Sequence, residues 1–271
     1  MTAYMDHKDL ANETISEERA TQIRDGVHRV LDTIRLSEQQ AGRESGSVQL
    51  LAATKTRDVG EIMAAIDAGV RMIGENRPQE VMAKAEGLQR LCAERGLNLG
   101  ATDAAGSDHE TVPFHLIGQL QANKIGKILP IVDTIESVDG LELAERIARR
   151  AVARDITVGV LLEVNESGEA SKSGCEPSEA IELAEQIAAM DGLELRGLMT
   201  IGAHVNDEAT IRAGFAHLRR TRDAILASKT PGTEHCTELS MGMTQDMTLA
   251  IEEGSTIVRV GTAIFGARAF I

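Results

Sequence analysis

One lysine stands where an apolar run of the sequence stops. The stretch VQLLAATKTRD, from Val48 to Asp58, reads as a buried strand that delivers Lys55 to its carboxyl end. Partial removal of water from a lysine amine lowers its pKa, and the neutral amine that results attacks carbonyl groups. By itself, a lysine at a strand end is more often a solvated side chain, so the other strand ends have to be considered with it.

Further polar residues also lie at or near the ends of apolar runs. Asn76 closes the run that ends in GEN, where a turn or cap residue is the simplest interpretation. His115 lies inside FHLIGQLQANK and, taken singly, reads as a core histidine. Lys172 belongs to NESGEASKSG, which by itself reads as a flexible polar loop.

Two short segments near the carboxyl terminus are suited to an anion. Ser240 and Met241 stand in LSMGM, and Gly261 and Thr262 open a short segment after TIVRV. Backbone N–H groups at such places, together with two hydroxyls, can hold a phosphate without a cationic side chain. Because side chains alternate along a strand, Arg259 shares a face with Gly261 and is expected to point into the same pocket.

The elements that must position these residues alternate along the chain. Apolar runs predict eight strands, near residues 48–54, 70–74, 113–118, 131–136, 156–164, 195–201, 235–239 and 256–260. The runs are continuously apolar, as in ITVGVLLEV, which indicates strands covered on both faces. Amphipathic helical patterns between them predict a single α/β domain, a (β/α)8 TIM barrel. An open doubly wound sheet is the alternative, and the lack of G-x-G-x-x-G after the first strand disfavours it.

An extra helix precedes the first strand. Its apolar residues recur at helical spacing, at Ile23, Val27, Val30, Leu31 and Ile34. Thr14 followed three residues later by Glu17 fits a capping box at the start of this helix.

The chain shows no linker that would divide it. We expect residues 1–13 to be an N-terminal tail and residues 14–271 to form one barrel domain. The polar, glycine-rich segment at 96–111 is expected to be an exposed loop.

Composition excludes several classes of protein. The 42 acidic and 28 basic residues give a net charge of −14, which repels nucleic acids, and 2% aromatic residues leave little for base stacking. The three cysteines lie far apart, which suits a reducing compartment and core packing, and the dispersed histidines give no metal motif. No leader pattern or apolar run of about 20 residues is visible, so a cytoplasmic protein without a membrane partner is expected.

A single ligand would use both the lysine and the anion cradle. Pyridoxal 5′-phosphate (PLP) combines an aldehyde for an amine, a ring acceptor and a phosphate. The residues therefore predict a PLP site in which Lys55 forms a Schiff base with the aldehyde. The carboxyl ends of the last two barrel strands, a usual phosphate site in this architecture, would hold the phosphate.

Several motifs together resemble the pyridoxal-phosphate homeostasis protein family, from roughly residue 20 to the end: AATKTR, IGENRPQE, FHLIGQLQANK, EVNESGEASKSG, GLMTIG and LSMGMTQDMTLAIEEGSTIVRVGTAIFGAR. That family is similar to the barrel domain of alanine racemase standing alone. The resemblance implies a Schiff base on Lys55, Arg259 facing the pyridine nitrogen and Asn76 near the ring. It also implies that Ser240, Gly261 and Thr262 surround the phosphate.

Two functions agree with such a site: reversible holding of PLP for homeostasis, and a racemase-like PLP enzyme. Two-base racemisation needs a second base, often a tyrosine, and Tyr4 in the N-terminal tail is the only tyrosine. We therefore favour a monomeric PLP-binding protein that is not an enzyme and whose recipients are apo-PLP enzymes. Lys172 is a candidate second amine for transfer, against the alternative of a solvated loop lysine.

Overall fold

The computed structural model describes residues 9–101, 109–169, 173–203, 205 and 207–267. Its α-helices are α1 (Glu17–Gln40), α2 (Val59–Asp67), α3 (Pro78–Glu94), α4 (Ile125–Ile128), α5 (Leu141–Val152), α6 (Ala180–Ala188), α7 (Glu208–Ser228), α8 (Met247–Glu252) and α9 (Thr262–Phe265). Its strands are β1 (Gln49–Ala53), β2 (Ile73–Glu75), β3 (Leu97–Leu99), β4 (Glu110–Val112), β5 (Phe114–Leu116), β6 (Thr134–Val138), β7 (Val158–Glu163), β8 (Leu193–Met199), β9 (Glu238–Ser240) and β10 (Ile257–Val260). None of the described helices is long and apolar enough to cross a membrane.

Eight parallel strands close into a barrel. Their order around the barrel is β1-β10-β9-β8-β7-β6-β5-β2, and β1 pairs with β10 to complete the circle. All eight predicted strands are present within a few residues of their expected positions, so the predicted (β/α)8 barrel is confirmed and the open-sheet alternative is wrong. Because the strands are parallel, their carboxyl ends share one mouth of the barrel.

A small apolar cluster lines one side of the barrel interior. Leu51, Met72, Ile117 and Ile257 pack together, apart from the main core formed between the strands and the outer helices. Ile257 shares a face with Arg259 because strand side chains alternate. The strands β5, β6, β9 and β10 carry buried polar side chains. The barrel interior therefore has an apolar side and a polar side.

The start of α1 differs from the prediction. The helix begins at Glu17, and Ser16 is its N-cap, accepting a hydrogen bond from the Arg19 backbone N–H at 3.1 Å. The expected Thr14–Glu17 capping box is therefore wrong, because the Thr14 hydroxyl bonds instead to the Asn12 side chain at 3.1 Å. The predicted apolar stripe is correct, and its buried members are Ile23, Val27, Val30 and Ile34.

The segment at 96–111 is only partly described, and its described ends are not an exposed loop. Leu97–Leu99 pairs in parallel with Glu110–Val112, which gives a second sheet of two strands. Leu99 and Val112 are buried, and this apolar contact is the reason that the prediction of an exposed loop was wrong there. Residues 102–108 lie outside the described part of the chain.

The described part of the N-terminal tail lies against α2. The Val59 N–H donates to the Leu10 carbonyl oxygen at 3.2 Å, and the Gly60 N–H donates to the Asn12 carbonyl oxygen at 3.0 Å. Leu10 is buried at this contact. The segment between residues 10 and 12 is therefore fixed to the barrel domain.

Helix α1 packs closely against α9, the short helix that follows the last strand. A Cβ atom added at Gly26 would lie 2.5 Å from the Ile264 carbonyl oxygen, which is closer than real Cβ atoms come. Nearby, Arg19 donates to the Phe265 carbonyl oxygen at 2.8 Å. A glycine in α1 is thus required by the close approach of the α9 backbone.

We expect Gly26→Ala to lower the free energy of unfolding by about 1–2 kcal/mol, because overpacking outweighs the gain in helix propensity. Gly214→Ala in α7 is the control, since its added Cβ would lie 3.4 Å from its nearest neighbour, the Glu166 carbonyl oxygen. Urea denaturation measures both variants. Equal stability of the two variants would contradict the packing argument.

Candidate functional site

Strand β1 brings Lys55 to the mouth of the barrel. The strand ends at Ala53, Thr54 is fully buried, and Lys55 lies half-buried in the turn that follows. Thr56 has a φ of 65°, a left-handed conformation that is unusual for a β-branched residue. Asp58 then caps α2 through a reciprocal capping box with Glu61.

A buried group of charges lies beneath this turn; Glu75, Glu80 and Lys84 are called the Lys84 cluster below. All three side chains are fully buried. The Lys84 ammonium contacts the Glu75 carboxylate, and it donates to Glu80 Oε2 and to the Thr54 carbonyl oxygen, both at 3.1 Å. Burial raises the pKa of Glu75 to about 7, although the positive charge of Lys84 opposes this change.

Arg259 points into the barrel interior, as its strand alternation predicted, and it has partners there. Its guanidinium donates to Ser240 Oγ at 2.7 Å and to the Thr200 carbonyl oxygen at 2.6 Å. The Ser240 hydroxyl donates to Glu136 Oε2 at 2.6 Å. The other oxygen of Glu136 lies 2.7 Å from His115 Nδ1. A continuous buried network therefore joins His115 to Arg259.

The network consists of charged partners. Burial is the largest single influence on His115 and Glu136, and it opposes charge on both. Their mutual hydrogen bond and attraction outweigh burial, so the pKa of His115 is raised and that of Glu136 is lowered. Burial lowers the pKa of Arg259, but a guanidinium stays protonated in proteins. The core interpretation of His115 is thus correct, and its partner is a carboxylate.

Pairing of the first and last strands places Gly261 beside the strand of Lys55. Ala52 is opposite Val260, so Gly261 lies next to Ala53, two residues before the lysine. A Cβ atom added at Gly261 would lie 3.1 Å from the Ala53 carbonyl oxygen, so this residue packs tightly against β1. Thr262, the first residue of α9, is exposed.

The remaining predicted site residues lie at different depths. Ser240 is level with Ile257, and its single hydroxyl proton is directed at Glu136, below the level of Gly261. Met241 is buried directly after it. Asn76 follows β2 and is half-buried, and its backbone closely approaches Gly118. Phosphate contacts by Ser240 and Met241 and a ring contact by Asn76 stay predictions.

Several predicted features fall outside the site or outside the described residues. Lys172 and Tyr4 are not among the described residues. The cysteines, predicted to be packing residues, are buried free thiols, and burial raises their pKa to about 11 for Cys92 and about 12 for Cys175 and Cys236.

Sequence reasoning missed the acidic residues of the barrel interior. Glu136 lies within the otherwise apolar TIESV, and Glu163 ends the apolar VGVLLE. Neither was recognised, although a carboxylate within a buried strand requires a compensating partner. Glu163 is almost fully buried, and its side-chain carboxylate has no hydrogen bond to another described residue. Burial raises its pKa to about 7, Asp139 adds to this increase, and Arg259 opposes it.

Comparison with known proteins identifies the family. The profile described as "Alanine racemase, N-terminal domain" matches residues 31–269. The pyridoxal phosphate homeostasis protein of Vibrio cholerae is 39% identical over 246 residues, which are 91% of this chain and 96% of that protein. The chain belongs to the pyridoxal phosphate homeostasis protein family. Its barrel therefore has the fold of the alanine racemase N-terminal domain.

Solved structures of similar proteins include one with a ligand. An unknown protein from Bifidobacterium adolescentis is 73% identical, with a TM-score of 0.92 over 95% of this chain and 100% of that chain. PipY from Synechococcus elongatus, in a structure with PLP bound, is 31% identical, with a TM-score of 0.66 over 86% of this chain and 99% of that chain. The pyridoxal phosphate homeostasis protein family thus contains a structure with its cofactor in place.

We expect Glu163→Gln to flatten the dependence of stability on pH. The pKa of Glu163 is raised from 4.5 to about 7, so its favourable contribution is complete below pH 4.5 and is lost as the pH rises through 7. Between pH 5 and pH 8, the free energy of unfolding of the wild type should fall by on the order of 1–3 kcal/mol more than that of the variant. Urea titrations at both pH values, with the exposed Glu44→Gln as control, measure this difference. Parallel pH profiles for wild type and Glu163→Gln would refute it.

Proposed function

We propose that this protein binds PLP covalently and reversibly through Lys55 and serves PLP homeostasis without turning over a substrate. The observation that carries the proposal is the pairing of β1 with β10, because it brings Lys55, Gly261 and the inward Arg259 to one mouth. Membership of the pyridoxal phosphate homeostasis family and the PLP-bound structure of PipY support it.

The residues at the mouth fit the three parts of PLP. The backbone of Gly261 and the exposed Thr262 hydroxyl suit the phosphate, as do the N–H groups of Thr262 and Ala263, which have no carbonyl partner within α9. Two of the five N–H groups of Arg259 are used by Ser240 and Thr200, which leaves donors for the pyridine nitrogen. Lys55 is partly desolvated at the strand end, which favours the neutral amine.

PLP supplies an aldehyde that forms a Schiff base with an amine. The protein supplies the amine of Lys55 and holds Arg259 in place through Ser240 and Glu136. A guanidinium can only donate, so Arg259 would leave the pyridine nitrogen unprotonated. An unprotonated ring is a weaker electron sink, which disfavours the chemistry of transaminases and decarboxylases more than that of a racemase.

A racemase-like PLP enzyme is the alternative function. Such an enzyme would need a second base on the face of the ring opposite Lys55. The one tyrosine of the chain, Tyr4, lies outside the described residues.

We propose that the protein acts as a monomer and passes PLP to apo-PLP enzymes.

Lys55→Ala should abolish covalent PLP binding. We expect the wild type with added PLP to be yellow, with a Schiff-base band that disappears on borohydride reduction, because the amine of Lys55 condenses with the aldehyde. Peptide mass spectrometry should then find the pyridoxyl adduct on Lys55. The exposed Lys127→Ala is the control and should keep the band. An adduct on another lysine, or no adduct at all, would contradict the proposal.

The PLP-loaded protein should not racemise amino acids at an enzymatic rate, because none of the described residues is a tyrosine that could act as the second base. Chiral chromatography of L-alanine and L-serine incubated with loaded protein measures the rate. We expect turnover well below about 1 s⁻¹, the low end of typical enzymes. Turnover at or above that rate would establish the enzyme alternative.

A further inference from the structure

The residues on both sides of Lys55 are held by buried acidic side chains. On one side, the Thr54 hydroxyl donates to Glu75 Oε1 at 2.6 Å. On the other side, the Thr56 backbone N–H donates to Glu80 Oε2 at 2.7 Å. The lysine therefore stands in a turn whose two flanking residues are each bound to a different carboxylate.

Lys84 joins these two carboxylates into one unit. Its ammonium contacts Glu75 and Glu80, and it also donates to the Thr54 carbonyl oxygen at 3.1 Å. Glu75 ends β2, whereas Glu80 and Lys84 lie one turn apart on α3. The Lys84 cluster thus connects the turn of Lys55 to a neighbouring strand and a neighbouring helix.

Stability alone is a poor reason to bury these groups. Desolvation of three charged side chains costs several kcal/mol per ion, and apolar residues of similar volume often do as well or better. One oxygen of Glu75 and one of Glu80 lack a hydrogen-bond partner among the described residues. Such an arrangement is expected where charges fix a geometry.

The backbone conformation of Thr56 is the feature that these buried charges would hold in place. A β-branched residue with a φ of 65° is strained, and such strain persists only when surrounding contacts hold it. The bond from the Thr56 N–H to the buried Glu80 carboxylate is such a contact, and hydrogen bonds to charged groups are the stronger ones. A relaxed Thr56 would redirect the backbone at Lys55.

We propose that Glu75, Glu80 and Lys84 are positioning residues, which hold Thr54 and Thr56 so that the Lys55 amine is aimed into the barrel mouth. The inference rests on the proposed role of Lys55 and deepens it. The Lys84 cluster would act through the backbone of the turn that carries Lys55, without touching the cofactor. Its loss should therefore change the direction and reactivity of Lys55 while the barrel remains folded.

The strand of Lys55 offers a matched control at its opposite end. Glu38 is also buried, and its carboxylate accepts hydrogen bonds from the Val48 N–H at 2.8 Å and the Gly46 N–H at 3.1 Å. Glu38→Gln thus disturbs a buried carboxylate that holds β1 at the far end of the barrel. A purely structural role of the Lys84 cluster predicts similar consequences at both ends.

The test compares Glu80→Leu, Glu80→Gln and Lys84→Met with Glu38→Gln and wild type. Hydrogen exchange by NMR in the apo-protein reports on the Thr56 amide, and PLP titration followed by borohydride trapping reports on Lys55. We expect Glu80→Leu to speed exchange at Thr56 on the order of tenfold and to weaken PLP binding about tenfold to a hundredfold, the range for a misplaced reacting group. Glu80→Gln, which keeps an acceptor oxygen, should restore most of both properties.

Lys84→Met removes the ammonium that contacts both buried carboxylates, leaving only Arg77 Nη1 at 3.8 Å from Glu80 Oε1 among the described ion pairs of the two, and is the variant most at risk of misfolding. Thr54→Val provides a milder probe, because it removes the hydroxyl that bonds to Glu75 and to the Gly74 carbonyl oxygen and leaves all three charges in place, and it should weaken PLP binding by a few-fold. Glu38→Gln should bind PLP within about twofold of wild type.

Three outcomes would each contradict either the positioning role of the cluster or the proposed function, and the measurements distinguish between them. Unchanged Thr56 exchange and unchanged PLP binding in the cluster variants would refute the positioning role while leaving Lys55 as the PLP lysine. Equal weakening in Glu38→Gln and Glu80→Leu would assign the cluster a structural role only. Absence of a Lys55 adduct in the wild type would refute the proposed function itself, whereas Thr56 exchange in the apo-protein would still report on the cluster.

Discussion

The barrel interior depends on one carboxylate. Glu136 is fully buried, and each of its oxygens binds a different partner, His115 on one side and Ser240 on the other. Through Ser240 it compensates the guanidinium of Arg259, whose other contact is a backbone carbonyl oxygen. A buried arginine without such a counter-charge would cost several kcal/mol. Strand alternation directs Arg259 inward, and Glu136, helped by the charges of Glu163 and Asp246, compensates the guanidinium there.

Two separate groups of buried charges lie beside the residues that we propose as the PLP site. The His115–Arg259 network lies on β5, β6, β9 and β10 and presents the Arg259 guanidinium to the barrel interior. The Lys84 cluster lies on β2 and α3 and binds the backbone just before Lys55. The pKa changes in the two groups favour different charge states. The network favours charge on both His115 and Glu136, but burial favours the neutral form of Glu75. One group thus favours the ionised forms of its acid and its imidazole, whereas in the other, burial raises the pKa of Glu75 to about 7.

The sequence was informative where the physics is local. Continuous apolar runs located all eight barrel strands, and strand alternation placed Arg259 inward, because both signals depend only on neighbouring residues. Partners were not predictable in the same way. Glu136 and Ser240 lie 104 residues apart, and only closure of the barrel makes them neighbours. The strands at 97–99 and 110–112 are too short to give a periodic signal, and the depth of Ser240 is decided by the register of β9 against β10.

Barrel closure has a consequence for biosynthesis. Gln49 pairs with Ile257 and the N-terminal helix packs on α9, so the last segment of the chain completes contacts with the first. Chains emerge from the ribosome from the amino end, and contacts between distant segments form late. A nascent chain therefore exposes Lys55 long before Gly261 and Arg259 have been translated. In the proposed site, loading that uses all three residues must wait until residue 261 has been translated and the barrel has closed.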